Sequence, residues 1–298
     1  MISGNVPTHL LVAARTGFLE TSSNPDPAYA PIAEVINMTA KSIDLVDLGS
    51  APMPSRNRGK PTLRDFIERK MTVTPLDWDI TVGISHNAVR DDQTGTLDRK
   101  VRNAGANFQR HIAQQAFKAL NDGDGTNFGL CYDGLSFFND SHVDKGAEYA
   151  TVQDNKYALP LSIDNFETVR VAASVFRDDQ GEFINYNFNT LIVPPALERI
   201  GRNIVGNPQA YDTANREINP YAGVTNLIVH PNLDSTAWIL TAGGQPTKPI
   251  IIAIREQPNL QSAWFDPLAD DGGMYYFKFY ARYNHFYGDW RTAIMGNT

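Results

Sequence analysis

The sequence predicts an α+β chain in which a long helix and a late aromatic strand frame a smaller α/β unit. Three observations carry this. Leu97, Val101, Ala104, Phe108, Ile112, Ala116 and Leu120 recur at intervals of three and four over 96–122, which places them on one face of a single helix. Tyr275, Phe277, Phe279, Ala281 and Tyr283 alternate with Tyr276, Lys278, Tyr280 and Arg282, aromatic on both sides, as in a strand covered on both faces. Between them, over 186–256, the apolar runs Asn189–Val193, Asn226–Val229, Trp238–Leu240 and Pro249–Arg255 accompany a helix that opens at Pro195 with Leu197, Ile200 and Ile204 inward.

Taken in order, residues 1–31 have the character of an arm. A short helix is predicted over Leu10–Glu20, and Pro25, Pro27 and Pro31 then break regular structure. Tyr29, Ile32, Val35 and Ile36 lead into the first ordered strand or turn. Residues 41–85 read as a long two-stranded projection. Ile43 and Leu45 form the outgoing strand, 49–61 a long loop, Thr62–Lys70 a short amphipathic turn, and Leu76, Trp78, Ile80, Val82 and Ile84 the return strand. A two-stranded hairpin is marginal alone in water, so a projecting one needs a surface to lie on. Its tip is locally basic.

The long helix has Thr96 as its cap, Asp98 at its positive end and Gly123 as a left-handed terminator. Gly105 weakens the middle by roughly 1 kcal/mol against Ala, which points to a close backbone approach there. Downstream, Cys131–His142 is rich in turns and aromatics, with Asp133-Gly134 as a tight turn and Phe137-Phe138 pinning the loop to the core. A second helix spans Asp164–Arg177, with Asp164 and Glu167 at capping-box spacing and Phe166, Val169, Ala173 and Phe176 on one face.

Composition limits the function classes. The chain has 298 residues, enough for one large domain or two ordinary ones, and a net charge of −7 that argues against a dedicated nucleic-acid binder. The charged fraction of 20% is low for a solvated monomer, which favours a surface covered by partners. Cys131 is the only cysteine, so there is no disulfide framework and no cysteine metal site. No apolar run reaches the ~18 residues that span a bilayer, and the sequence reads as a soluble protein made inside the cell.

No catalytic constellation is visible. There is no nucleophile elbow, phosphate-binding glycine loop or zinc helix motif, and Gly243-Gly244 lacks the rest of a dinucleotide fingerprint. His9, His86, His111, His142, His230 and His285 lack ligand spacing. Asp91-Asp92, Asp178-Asp179 and Asp270-Asp271 border elements, as caps and turns do. Residues 122–129 have the outline of a calcium loop but carry Asn127 at position six, where glycine is needed, and no glutamate at position twelve. The expectation is therefore no catalytic residue, no cofactor and no metal.

The order of elements resembles the Hong Kong 97 capsid fold of tailed phages. Three stretches resemble more narrowly the major head subunits of Mu-like phages: Thr81-Val82-Gly83-Ile84-Ser85 with Asp91-Asp92; Cys131-Tyr132-Asp133-Gly134 with Phe137-Phe138 and His142; and Leu191-Ile192-Val193-Pro194-Pro195-Ala196-Leu197-Glu198. The resemblance implies an N-arm over 1–40, an extended loop over 41–85, a peripheral domain over 86–185 with its spine helix at 96–122, an axial domain over 186–256, and return strands of the peripheral sheet over 257–298. It implies a major capsid protein that forms hexamers and pentamers in an icosahedral virion shell, made in the host bacterial cytoplasm. Scaffolding, portal and decoration proteins would be its partners, and packaged double-stranded DNA a weak, sequence-blind contact.

On the same basis Arg56, Arg58, Lys60, Arg64 and Trp78 are expected at inter-subunit contacts, and Arg99, Arg102 and Arg110 on the inner face toward DNA. No N-terminal scaffolding segment is visible, and nothing marks a crosslinking partner for Lys60 or Lys70. The rivals are an encapsulin-like compartment that encloses a protein cargo and, from another class, an α/β hydrolase-type or metal-dependent enzyme.

Overall fold

The computed structural model describes residues 6–23, 29–47, 69–91, 96–143, 151–206, 219–245, 247–269 and 272–297. The elements are α1 (Thr8–Ser22), β1 (Ala33–Asn37), β2 (Ile43–Asp47), β3 (Arg69–Val73), β4 (Leu76–Ser85), α2 (His86–Asp91), α3 (Thr96–Asn121), β5 (Lys156–Tyr157), α4 (Ile163–Ser174), β6 (Thr190–Val193), α5 (Glu198–Gly206), β7 (Asn226–Val229), β8 (Trp238–Thr241), β9 (Ile250–Asp266), β10 (Met274–Tyr287) and β11 (Ala293–Gly296). They form a four-stranded sheet in the order β1-β9-β10-β4, a five-stranded sheet in the order β5-β11-β8-β6-β7, and the separate hairpin β2-β3.

The long helix α3 lies where its periodicity demands. Val101, Ala104, Phe108, Ile112, Ala116 and Leu120 are buried, and the helix packs on β4, β9 and β10. Three hydrogen bonds fasten it to β10. His111 Nδ1 meets the Tyr283 hydroxyl at 2.7 Å, His285 Nε2 donates to the Ile112 carbonyl at 2.9 Å, and the Tyr287 hydroxyl donates to the Ala119 carbonyl at 2.9 Å. Burial in this seam lowers the His111 and His285 pKa values, that of His285 to about 4, and raises those of Tyr283 and Tyr287.

Gly105 marks a close approach, as its placement implies. A Cβ there would collide with Thr21 Oγ1 and stand 2.8 Å from the Phe18 carbonyl, both on α1. Residues 8–22 therefore pack as a core element in this conformation instead of standing off as an arm. Phe18 is fully buried, stacked on Phe279 at 4.0 Å and edge-on to Phe108 at 5.8 Å.

Other expectations are corrected. The return strand of the hairpin is β3, not Leu76–Ile84. Val46 pairs with Lys70 and Ile43 with Val73, whereas β4 pairs antiparallel with β10 from Leu76↔Tyr283 to Ser85↔Met274. The β4 alternation was real, but its apolar side covers α3. The run at 250–256 belongs to β9 of the four-stranded sheet, and the final strand β11 closes the five-stranded sheet against β8. Gly123 is not left-handed; it is small because the Phe138 ring abuts it, at 2.5 Å from where a Cβ would stand. The cap of α4 is Ser162, whose hydroxyl accepts the Asn165 N–H at 3.1 Å, with Asp164 in the first turn. Finally, β10 is not covered on both sides. Tyr275, Phe277, Phe279, Ala281 and Tyr283 are buried, while Tyr276, Lys278, Tyr280 and Arg282 are only half-buried.

Candidate assembly surface

Two surfaces stand apart from the main core. One is the hairpin β2-β3. Its root is a small apolar cluster separate from the main core, made of Met38, Val73 and Ala253 with Met71 and Phe286 packed against it. Two hydrogen bonds set the root on the sheet. The Met38 N–H donates to the Ile254 carbonyl at 2.8 Å, and Asn284 Nδ2 donates to the Thr74 carbonyl at 3.0 Å. Along the hairpin, Asp44 accepts from Lys70 Nζ at 2.8 Å and Thr72 Oγ1 at 2.7 Å, and these bonds hold its carboxyl below the usual range. Both members of the ion pair are well exposed, so it contributes little to stability.

The second surface is the half-buried face of the four-stranded sheet. Trp264 and Tyr276 stack across strands at 5.2 Å. Beside them Arg282 Nε meets Asp77 at 2.6 Å and Lys278 Nζ meets Asp79 at 3.7 Å. The residues that make this face were individually visible in sequence. Their gathering on one side follows only from the β4-β10 and β9-β10 registers. The hairpin root was missed, although Met71 and Val73 flank Thr72 with strand alternation.

Of the residues expected at inter-subunit contacts, Arg56, Arg58, Lys60 and Arg64 lie outside the described residues. Trp78 is partly buried. Its indole N–H donates to the Tyr283 carbonyl at 3.0 Å and its ring packs on His111 at 4.5 Å, because β4 turns that side of the strand toward α3. Lys70 lies on the hairpin, paired with Asp44. On α3, Arg99, Arg102 and Arg110 are all exposed, and Arg102 is ion-paired with Glu20 of α1 at 2.6 Å. Among the described residues no group of three or more His, Cys, Asp or Glu side chains is placed to hold a metal ion, and no helix is long and apolar enough to cross a membrane.

A family model described as phage capsid protein matches residues 68–295. The chain belongs to the phage capsid protein family. Its function is that of a major capsid protein, a structural subunit of a virion shell and not an enzyme. The architecture is the Hong Kong 97 type. It is similar to a chain of the bacteriophage JBD30 procapsid at 19% identity and TM-score 0.58, over all of this chain and 76% of that one. It is similar to the capsid chain of an empty GTA particle at 13% identity and TM-score 0.57, over 91% and 89% of the two chains. A virus-like particle from Pyrococcus furiosus shares the fold at 12% identity and TM-score 0.50, over 95% and 97%. No curated protein matches the chain. For a capsid subunit the functional site is the surface it offers to other subunits.

Proposed function

We propose that this capsid protein forms the head shell of a Mu-like tailed phage or prophage-derived particle, as hexamers and pentamers around double-stranded DNA. In this reading the hairpin β2-β3 is the core of the extended loop and lies on a neighbouring subunit. The helix α3 and the four-stranded sheet make the peripheral domain, and the five-stranded sheet makes the axial domain around the capsomer centre. The observation that carries it is the hairpin root. A projecting two-stranded ribbon anchored by Met38, Val73 and Ala253 has too little of its own core to order itself, and a neighbour supplies what is missing. Many such contacts, each modest, hold a subunit through their number.

The JBD30 capsid is also known decorated with minor capsid protein trimers, and a decoration protein is the expected further partner here. Scaffolding and portal proteins complete the proposed set. Arg56, Arg58, Lys60 and Arg64 are assigned to the inter-subunit contact of the extended loop. Arg99, Arg102 and Arg110 of α3 are assigned to weak DNA contact, with Arg102 also ion-paired to Glu20.

Electron microscopy of the purified chain, paired with sedimentation, tests this directly. Closed shells, tubes or hexameric rings are the expected result. A homogeneous small species across salt and concentration, even with a co-expressed scaffold, overturns it. Shells that carry a protein cargo and no nucleic acid would move the assignment to a compartment.

A further inference from the structure

The four-stranded sheet ends in an open edge. Its last strand, β4, pairs with β10 alone, from Leu76↔Tyr283 to Ser85↔Met274 without a register shift. One bond just past that ladder fixes which way the backbone points. The His86 N–H donates to the carbonyl of Gly273, the residue opposite it, at 2.8 Å. Hydrogen-bonded and non-hydrogen-bonded pairs alternate along an antiparallel ladder, so the even-numbered residues of β4 send their N–H and C=O groups to β10. Those of Asp77, Asp79, Thr81 and Gly83 point away from the sheet. Among the described residues no backbone group is bonded to them.

The strand lacks the usual guards of a free edge. Short length, a proline, a lysine or a bulge keeps an edge from pairing. β4 runs for 10 residues, contains no proline or lysine, and has no bulge. Its two acids are turned to β10, Asp77 to Arg282 at 2.6 Å and Asp79 to Lys278 at 3.7 Å. Its apolar side also runs short of cover toward the start of the strand. Ile84 is buried, Val82, Ile80 and Trp78 are half-buried, and Leu76 is 50% exposed. A groove of about 440 Å³ lies between this row and α3, lined by Trp78, Ile80, Asn107, Arg110 and His111 among others.

We propose that β4 is a strand-addition site and that its occupant is β4 of a second copy of this chain, joined antiparallel across a two-fold axis so that two four-stranded sheets become one. A shell subunit has copies of itself as neighbours, and an isologous contact needs only a strand that matches itself. This strand does. Residues directly opposite share a face, so the apolar rows of two copies join only where even-numbered residues meet. Centring the pair on Asp79 sets Asp79 against Asp79, and centring it on Trp78 sets Asp77 against Asp79; like charges directly opposite are destabilising. Centring on Thr81 parts the acids but leaves Leu76 without an opposite strand residue. Centring on Ile80 satisfies both demands. Trp78 meets Val82 and the exposed Leu76 meets Ile84 on the apolar face, while Asp79 meets Thr81 and Asp77 meets Gly83 on the other. All four outward-pointing residues then exchange hydrogen bonds in pairs.

Thr81→Pro is the discriminating variant. It removes an outward N–H and no bond to β10, which an edge strand tolerates. In the paired state it removes one bond from each strand, so the concentration needed for assembly should rise about tenfold. Thr81→Val keeps the N–H and should assemble as the parent does. Hydrogen exchange of the parent reads the same contact. The amides of Asp77, Asp79, Thr81 and Gly83 should exchange freely in the dissociated chain and become as protected in shells as those of Trp78 and Ile80. A photoreactive benzoylphenylalanine placed at Thr81 identifies the occupant, and irradiated shells should yield a dimer of chains linked within residues 76–84 of the second copy. Capture of any other segment, the hairpin β2-β3 included, or of a different protein overturns the proposal. So does a Thr81→Pro chain that assembles like the parent. Well-formed shells in which the outward amides still exchange freely overturn it and leave the capsid function standing, whereas a parent chain that never assembles overturns both. The exchange data on the parent decide alone if Thr81→Pro does not fold.

Discussion

In the four-stranded sheet, β9 and β10 run for 17 and 14 residues, and β10 alternates buried and half-buried positions along its whole length. In the five-stranded sheet, β6, β8 and β11 are four residues each and buried at every position. A strand buried on both faces has its contacts inside its own chain. A sheet with one half-open face leaves area for another molecule. If the half-open face is an assembly surface, the contrast separates what makes the chain fold from what makes the shell assemble, and substitutions on the two kinds of position should differ accordingly.

The largest expected effect is on the closed side of the long sheet. Phe18 is fully buried between Phe108 and Phe279, so Phe18→Ala should cost about 3–5 kcal/mol in unfolding free energy. Denaturant titration of the dissociated chain measures it. A loss below about 1 kcal/mol would mean that α1 leaves the core readily, and that residues 8–22 serve as the free arm their sequence first suggests.

The next effect depends on pH. His285 is neutral in the seam between β10 and α3, with its pKa lowered to about 4 by burial. Its folded value lies below its unfolded value near 6.5, so the unfolded chain takes up a proton first as pH falls. Stability is full above pH 6.5 and is lost by about 3 kcal/mol as pH falls toward 4. His285→Gln should flatten that stretch of the pH–stability curve.

The contrast between the sheets also explains what could be read from the sequence. Continuous apolar runs such as Leu191-Ile192-Val193 announce themselves as buried strands, and α3 was legible to within a residue because periodicity is local. The second half of β9 was not. After Arg255 it reads Glu256-Gln257-Pro258-Asn259, a turn by composition, yet the strand continues because Pro258 falls in the register shift between Tyr280 and Arg282 of β10. The β4 alternation identified a strand but not its partner, since register is a property of distant segments. The seam histidines carry no local signature, because their chemistry comes from burial that packing alone creates.

On the half-open face the order of effects should invert. Tyr276→Ser and Tyr280→Ser remove half-buried side chains and should cost under about 1 kcal/mol of chain stability. If the face is an assembly surface, the same substitutions lower shell yield in sedimentation while the dissociated chain unfolds normally. Normal yield from both would return this face to solvent and leave the hairpin as the chain's principal contact.

The smallest effect belongs to the hairpin. Asp44 meets Lys70 and Thr72, but the ion pair is exposed and screened, so Asp44→Ala should change unfolding free energy by only ~0–1 kcal/mol. The root should behave differently. Val73 is fully buried with Met38 and Ala253, and Val73→Ala takes two methyl groups from a cluster of five side chains. The cost to the isolated chain should still be modest, about 1–2 kcal/mol, because this cluster is separate from the main core. The effect on assembly should be large, because a hairpin with a loosened root no longer presents a fixed direction to a neighbour. Hydrogen exchange across 69–73 before and after assembly measures this. Protection that rises on assembly in the parent and fails to rise in Val73→Ala would show that the ribbon gets its order from the shell and its aim from the root.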